Sequence, residues 1–103
     1  MQRDDLARVH RERVAADRPY EEFLRTGSMS AGLYELPAGA ADPQEPHPQD
    51  ELYHVIAGRA DFEYEGRTQA VGPGAVIFVE AGAPHRFVGI AEDLSVLVIF
   101  AEG

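Results

Sequence analysis

The stretch "EPHPQDELYHVIAG", residues 45–58, sets His47 and Glu51 in front of an apolar run and adds Glu45, His54 and two prolines. Imidazole and carboxylate are donors that a divalent first-row metal ion takes, and two histidines with one carboxylate leave coordination positions open. His47 and Glu51 supply two such donors. The third must come from elsewhere in the chain, where only His10, His54 and His85 remain as imidazoles. His85 follows the turn "EAGAP" at the head of an apolar run, so a rigid element would hold it near a loop, and it is the third candidate ligand. Other chemistries are closed to this chain. It has no cysteine and no lysine, which excludes disulfides, thiolate nucleophiles, zinc-thiolate sites and a lysine Schiff base.

The candidates need elements that aim them. In a strand, side chains two apart share a face. Glu45 and His47 therefore point the same way if their segment is extended, which Pro43 and Pro46 encourage. Beyond Pro48 a strand restarting at Glu51 places Tyr53 and Val55 on the face of Glu51, with Leu52, His54 and Ile56 on the other. Tyr53 is accordingly the candidate for a substrate pocket, and His54 is expected to pack between sheets or at a subunit contact. Each residue also has a plainer reading. His47 could be a loop histidine beside prolines, Glu51 could pair with Arg59 or Arg86, His85 could be a satisfied histidine at a strand start, and Gln44 and Gln49 could serve the surface or orient ligands. Tyr53, Phe62, Tyr64, Phe78 and Phe87 are expected in the core, because a sandwich interior needs large side chains.

From Gly27 onward the chain consists of short apolar segments punctuated by Gly, Pro and acidic clusters: "SMSAGLYEL", "ELYHVIAG", "ADFEYEG", "RTQAV" after a tight Glu65-Gly66 turn, "AVIFV", "HRFVGI" and "LSVLVIF". This predicts an all-β sandwich or small barrel. Residues 1–26 are expected to form a helical arm, with an apolar line at Leu6, Val9 and Val14 and a stop at Pro19. The arm would lie on the domain or on a second subunit. The last strand is apolar on both faces and so expects cover on both.

At 103 residues and 45% hydrophobic, the chain has the size and apolar content of one domain. A formal charge of −9, from 18 acidic against 9 basic residues, and no basic stripe argue against nucleic acid as a partner. No apolar run reaches the roughly 20 residues of a spanning helix, and the polar start "MQRDDLARVHRER" lacks the core of a signal peptide. A cytoplasmic protein without a membrane partner is the expectation.

Two spaced motifs resemble those of the cupins. In the first, G(X)5HXH(X)3,4E(X)6G, the matching residues are Gly39, His47, Glu51 and Gly58, with Glu45 where the first histidine stands. In the second, G(X)5PXG(X)2H(X)3N, they are Gly74, Gly82 and His85, with Glu80 and Gly89 replacing proline and asparagine. The resemblance covers Gly27 to Ala101. It implies a double-stranded β-helix, or jelly-roll barrel, over residues 27–103. It further implies a metal site inside, with His47, Glu51 and His85 as ligands to Fe, Mn, Ni, Zn or copper and Glu45 standing where a fourth ligand would be. It also implies pairing through the sheets as a homodimer. Three functions are consistent with this: a metal-dependent enzyme of dioxygenase, isomerase or decarboxylase type acting on a small organic molecule, a non-catalytic barrel that binds or senses a small ligand, or a structural or partner-binding role with a degenerate site.

Overall fold

The computed structural model describes residues 1–102. One helix, α1 (Leu6–Ala16), precedes eight strands: β1 (Tyr20–Arg25), β2 (Met29–Leu36), β3 (Glu51–Ala57), β4 (Ala60–Tyr64), β5 (Arg67–Val71), β6 (Val76–Val79), β7 (His85–Val88) and β8 (Leu94–Ala101). They form a five-stranded sheet, β1-β2-β8-β3-β6, and a three-stranded sheet, β5-β4-β7, with every pair antiparallel. The last strand returns between β2 and β3, which is the crossing expected of a jelly roll. Among the described residues, no helix is long and apolar enough to cross a membrane.

Between the sheets lies one core built from both. Tyr34, Tyr53, Val55, Val79, Val96 and Val98 come from the larger sheet and Phe62 and Phe87 from the smaller. Along β3 burial alternates as the sequence requires: Glu51, Tyr53 and Val55 are buried, while Leu52, His54 and Ile56 face out. His54 is therefore exposed rather than packed between sheets.

Phe78 departs from the expected core as well and is 61% exposed. Its strand pairs Leu52 with Phe78 and Glu51 with Val79, so the inward register belongs to Val79 and Phe78 is turned to the outer face. Phe62 and Phe87 are buried as expected, and Tyr64 is half-buried.

The first 26 residues contain more than a helix. β1 pairs with β2 and extends the larger sheet, with an irregularity between Glu22 and Leu24. That bulge puts Phe23 and Leu24 out of strict alternation and hides the strand from a search for period two. The helix lies on β1 and β2. Val9 is fully buried there, whereas Val14, expected in the same line, is 54% exposed. Glu35, on the outer face of β2, anchors the helix by accepting from Arg13 Nε at 2.6 Å and pairing with His10 Nδ1 at 2.6 Å.

Two turns fix the frame around the site. Glu65 and Gly66, at φ 49° and 80°, join β4 to β5 as the predicted hairpin. Gly58, at φ 90°, ends β3 where a Cβ would come within 2.3 Å of the Asp93 carbonyl oxygen, so no larger residue fits.

Candidate metal centre

Glu51 opens β3 in one sheet and His85 opens β7 in the other, so the barrel brings together residues that the chain keeps apart. His47 arrives on the irregular segment 37–50, which is tied to the turn before β7. The Gly82 amide donates to the His47 carbonyl at 2.7 Å, and the Ala81 amide donates to Asp50 Oδ1 at 2.8 Å. One side-chain atom from each of His47, Glu51 and His85 lies within 4.8 Å of the others. The His47 ring packs edge-on to Phe100, with centroids 5.0 Å apart, and lies 5.9 Å from the ring of His85.

Glu45 does not join them. It is exposed and outside this group, so the residue standing in the position of the motif's first histidine is turned to solvent. Extended backbone would have put it on the face of His47; the segment from Pro43 to Pro48 forms no strand, and the two-residue period does not apply there.

The hydrogen bonds of the centre decide what it wants. His85 Nδ1 is 2.7 Å from the Ala83 carbonyl, which only accepts, so Nδ1 carries a proton. In a neutral ring Nε2 then carries a lone pair, and Glu51 Oε1 lies 2.7 Å from that nitrogen. Both Glu51 oxygens are buried with no hydrogen-bond partner, because the His85 ring does not aim a hydrogen at the carboxylate. Two acceptors at that distance repel unless positive charge sits between them. A second proton on the ring can supply it: burial opposes protonation, but Glu51 and the Ala83 carbonyl outweigh burial and raise the His85 pKa above its ordinary value. A metal ion supplies it equally well, and imidazole with carboxylate is a fitting donor set. The residues present therefore fit a divalent cation.

Tyr53 closes the group. Its hydroxyl oxygen is 3.0 Å from His85 Nε2 and donates to Gln44 Oε1 at 2.8 Å. Burial, reinforced by the negative charge of Glu51, holds this phenol above its ordinary pKa and keeps it protonated at neutral pH. A cleft of about 330 Å³ opens beside the centre and is lined by His47, Glu51, Tyr53, Tyr20, Tyr34 and Phe100, among others. The Tyr20 hydroxyl is buried in it without a partner. At the mouth, Arg25 bridges Glu22 and Glu102, and Gln49 and Ser30 also donate to Glu102. Gln44 thus belongs to the centre and Gln49 to the rim. Asp42, which sequence reasoning passed over, is buried and contacts Gln44. Its only signal was a carboxylate in a proline-rich connection, which commonly marks a surface loop.

Comparison with known proteins agrees with this architecture. Residues 32–100 match the family described as Cupin domain. An uncharacterized protein of Streptomyces coelicolor is 48% identical over 93% of this chain and 91% of its own length. The dimethylsulfoniopropionate lyase DddQ of Ruegeria pomeroyi is 39% identical over 59 residues, covering 56% of this chain and only 29% of the lyase. The crystal structure of that lyase superposes with a TM-score of 0.69 at 32% identity, over 74% of this chain and 39% of that one. The TT1209 protein of Thermus thermophilus gives a TM-score of 0.78 at 25% identity, over 99% of this chain and 98% of that one.

Proposed function

This chain belongs to the cupin family, and from that premise we propose that it holds a divalent metal ion on His47, Glu51 and His85 and acts as a metal-dependent enzyme on a small organic molecule. The observation that carries this is the buried Glu51 carboxylate, without a hydrogen-bond partner and 2.7 Å from His85 Nε2. A bound divalent ion would act as a Lewis acid or as an activator of dioxygen. The chain's own residues define the rest of the site. Val98 and Phe100 give the cleft apolar walls that exclude water, and Tyr20 lines it with a buried hydroxyl that has no partner within the chain. The Tyr53 hydroxyl stands between centre and cleft, where it can contact a molecule bound in both. The likeness to a dimethylsulfoniopropionate lyase supports a small organic substrate and adds a lyase to the oxidation, isomerisation and decarboxylation that such a centre serves. Glu45, at the position of the motif's fourth ligand, lies outside the group, so three protein donors remain and coordination positions stay open for a substrate.

Metal analysis of protein purified without chelator tests this. Stoichiometric Fe, Mn, Ni or Zn is expected in the parent, with loss in His47→Ala and His85→Ala. Equal metal content in the parent and both variants would overturn the assignment.

A second copy of the chain is the proposed partner. Leu52 and Ile56 of β3, each 37% exposed, share the outer face with Val76 at 64% and Phe78 at 61%. The helix covers β1 and β2 and leaves this apolar stripe open. An exposed apolar patch of this kind marks an interaction surface.

A further inference from the structure

Asp42 is a buried carboxylate that belongs to neither motif. Every group touching it is a hydrogen-bond donor: the Tyr34 hydroxyl and the Gln44 amide N–H on Oδ1, and the Gln44 side-chain Nε2 at 2.6 Å and the Phe87 amide at 2.8 Å on Oδ2. A carboxylate that only accepts dictates the orientation of the amide beside it. Gln44 must turn its NH₂ toward Asp42, which leaves Oε1 facing Tyr53. Oε1 only accepts, so the single proton of the Tyr53 hydroxyl is drawn to it. The lone pairs of that hydroxyl then face His85 Nε2, 3.0 Å away, on the side where Glu51 lies.

We propose that Asp42 and Gln44 are positioning residues of the metal centre: through two hydrogen bonds they hold the Tyr53 proton away from the cation site. The inference rests on the reading of His47, Glu51 and His85 as metal ligands. Without the relay, the Tyr53 proton is free to turn onto the Nε2 lone pair of His85 or onto the unpartnered Glu51 carboxylate, and in either place it competes with the cation. Outer groups that orient a metal's ligands in this way typically contribute 10- to 100-fold in affinity.

A double-mutant cycle separates this from a role in folding. The variants are Gln44→Met, which keeps length and removes both hydrogen bonds, Tyr53→Phe, and the two combined. Affinity for Co²⁺ is read by competition with a chromophoric chelator, and the melting temperature of each metal-free protein is recorded beside it. Gln44→Met is expected to weaken Co²⁺ binding roughly 10- to 100-fold in the parent and by less than about twofold in the Tyr53→Phe background. An equal loss in both backgrounds would overturn the relay, because Gln44 would then act by some route other than the hydroxyl. No loss in either background overturns it too. If the parent itself binds no Co²⁺, the metal-centre reading falls and takes the relay with it.

Discussion

Replacing Glu51 by glutamine should make the metal-free protein more stable and the metal-bound protein less so. In the absence of metal, the Glu51 carboxylate is almost wholly buried, its oxygens lack hydrogen-bond partners, and it faces His85 Nε2 at 2.7 Å. The glutamine amide is isosteric with the carboxylate and can donate from its NH₂ to His85 Nε2 once the ring turns toward it. It exchanges a buried charge for a neutral hydrogen bond. Leaving a buried polar group unpaired costs about 1–3 kcal/mol, a cost the neutral amide avoids. For a chain of this size a gain of about 1–2 kcal/mol corresponds to a rise of roughly 4–15 °C in melting temperature. Metal reverses the order, since a ligand at about 100 times its Kd stabilises by about 2.7 kcal/mol, and the glutamine amide is the poorer donor. Thermal unfolding in EDTA and with excess Zn²⁺ measures both effects. A metal-free E51Q that melts below the metal-free parent would refute the argument from the unsatisfied carboxylate. Equal stabilisation of both proteins by Zn²⁺ would refute Glu51 as a ligand.

Glu45→Ala should leave Co²⁺ affinity within about twofold of the parent, because an exposed carboxylate outside the group contributes only a screened, distant charge; a loss beyond about tenfold would return Glu45 to the ligand set. Phe78→Asp should convert a dimer to a monomer in analytical ultracentrifugation without lowering the melting temperature of the monomer, since the side chain is already 61% exposed. A parent that sediments as a monomer at every concentration would remove the proposed partner. For Glu35, burial opposes ionisation, but the hydrogen bonds from His10 and Arg13 outweigh it and lower the pKa below its ordinary value of 4.5. A lowered folded-state pKa gives stability that is complete above pH 4.5 and is lost as pH falls through the folded value. Glu35→Gln should therefore lower stability at pH 7 by about 1–2 kcal/mol and flatten its decline below pH 4.5, as read by urea unfolding across pH. An unchanged acid limb would show that the helix anchor does not depend on this charge.

The faces of β3 were legible because alternation is a property of the local backbone. Once residues 51–57 are a strand, Glu51, Tyr53 and Val55 must share one face whatever packs on it. The Glu65-Gly66 hairpin was legible for a similar reason, since its backbone angles depend on the residues in the turn. β1 was not legible, because a bulge broke the alternation that would have disclosed it. Phe78 was misplaced because a short apolar strand has two apolar faces, and only pairing with β3 selects Val79 for the interior.

The same division runs through the centre itself. By itself the sequence determined the donor types, the order of the strands that carry them and the spacing that pairs His47 with Glu51 near the start of β3. Tertiary structure alone decided that His85, from the opposite sheet, comes to 2.7 Å from Glu51, that Glu45 turns to solvent, and that Asp42 is buried where it can orient Gln44 and Tyr53. The physical reason is range: strand alternation and turn angles are set within a few residues of chain, whereas a convergence of acceptors around one point exists only after two sheets have closed on each other.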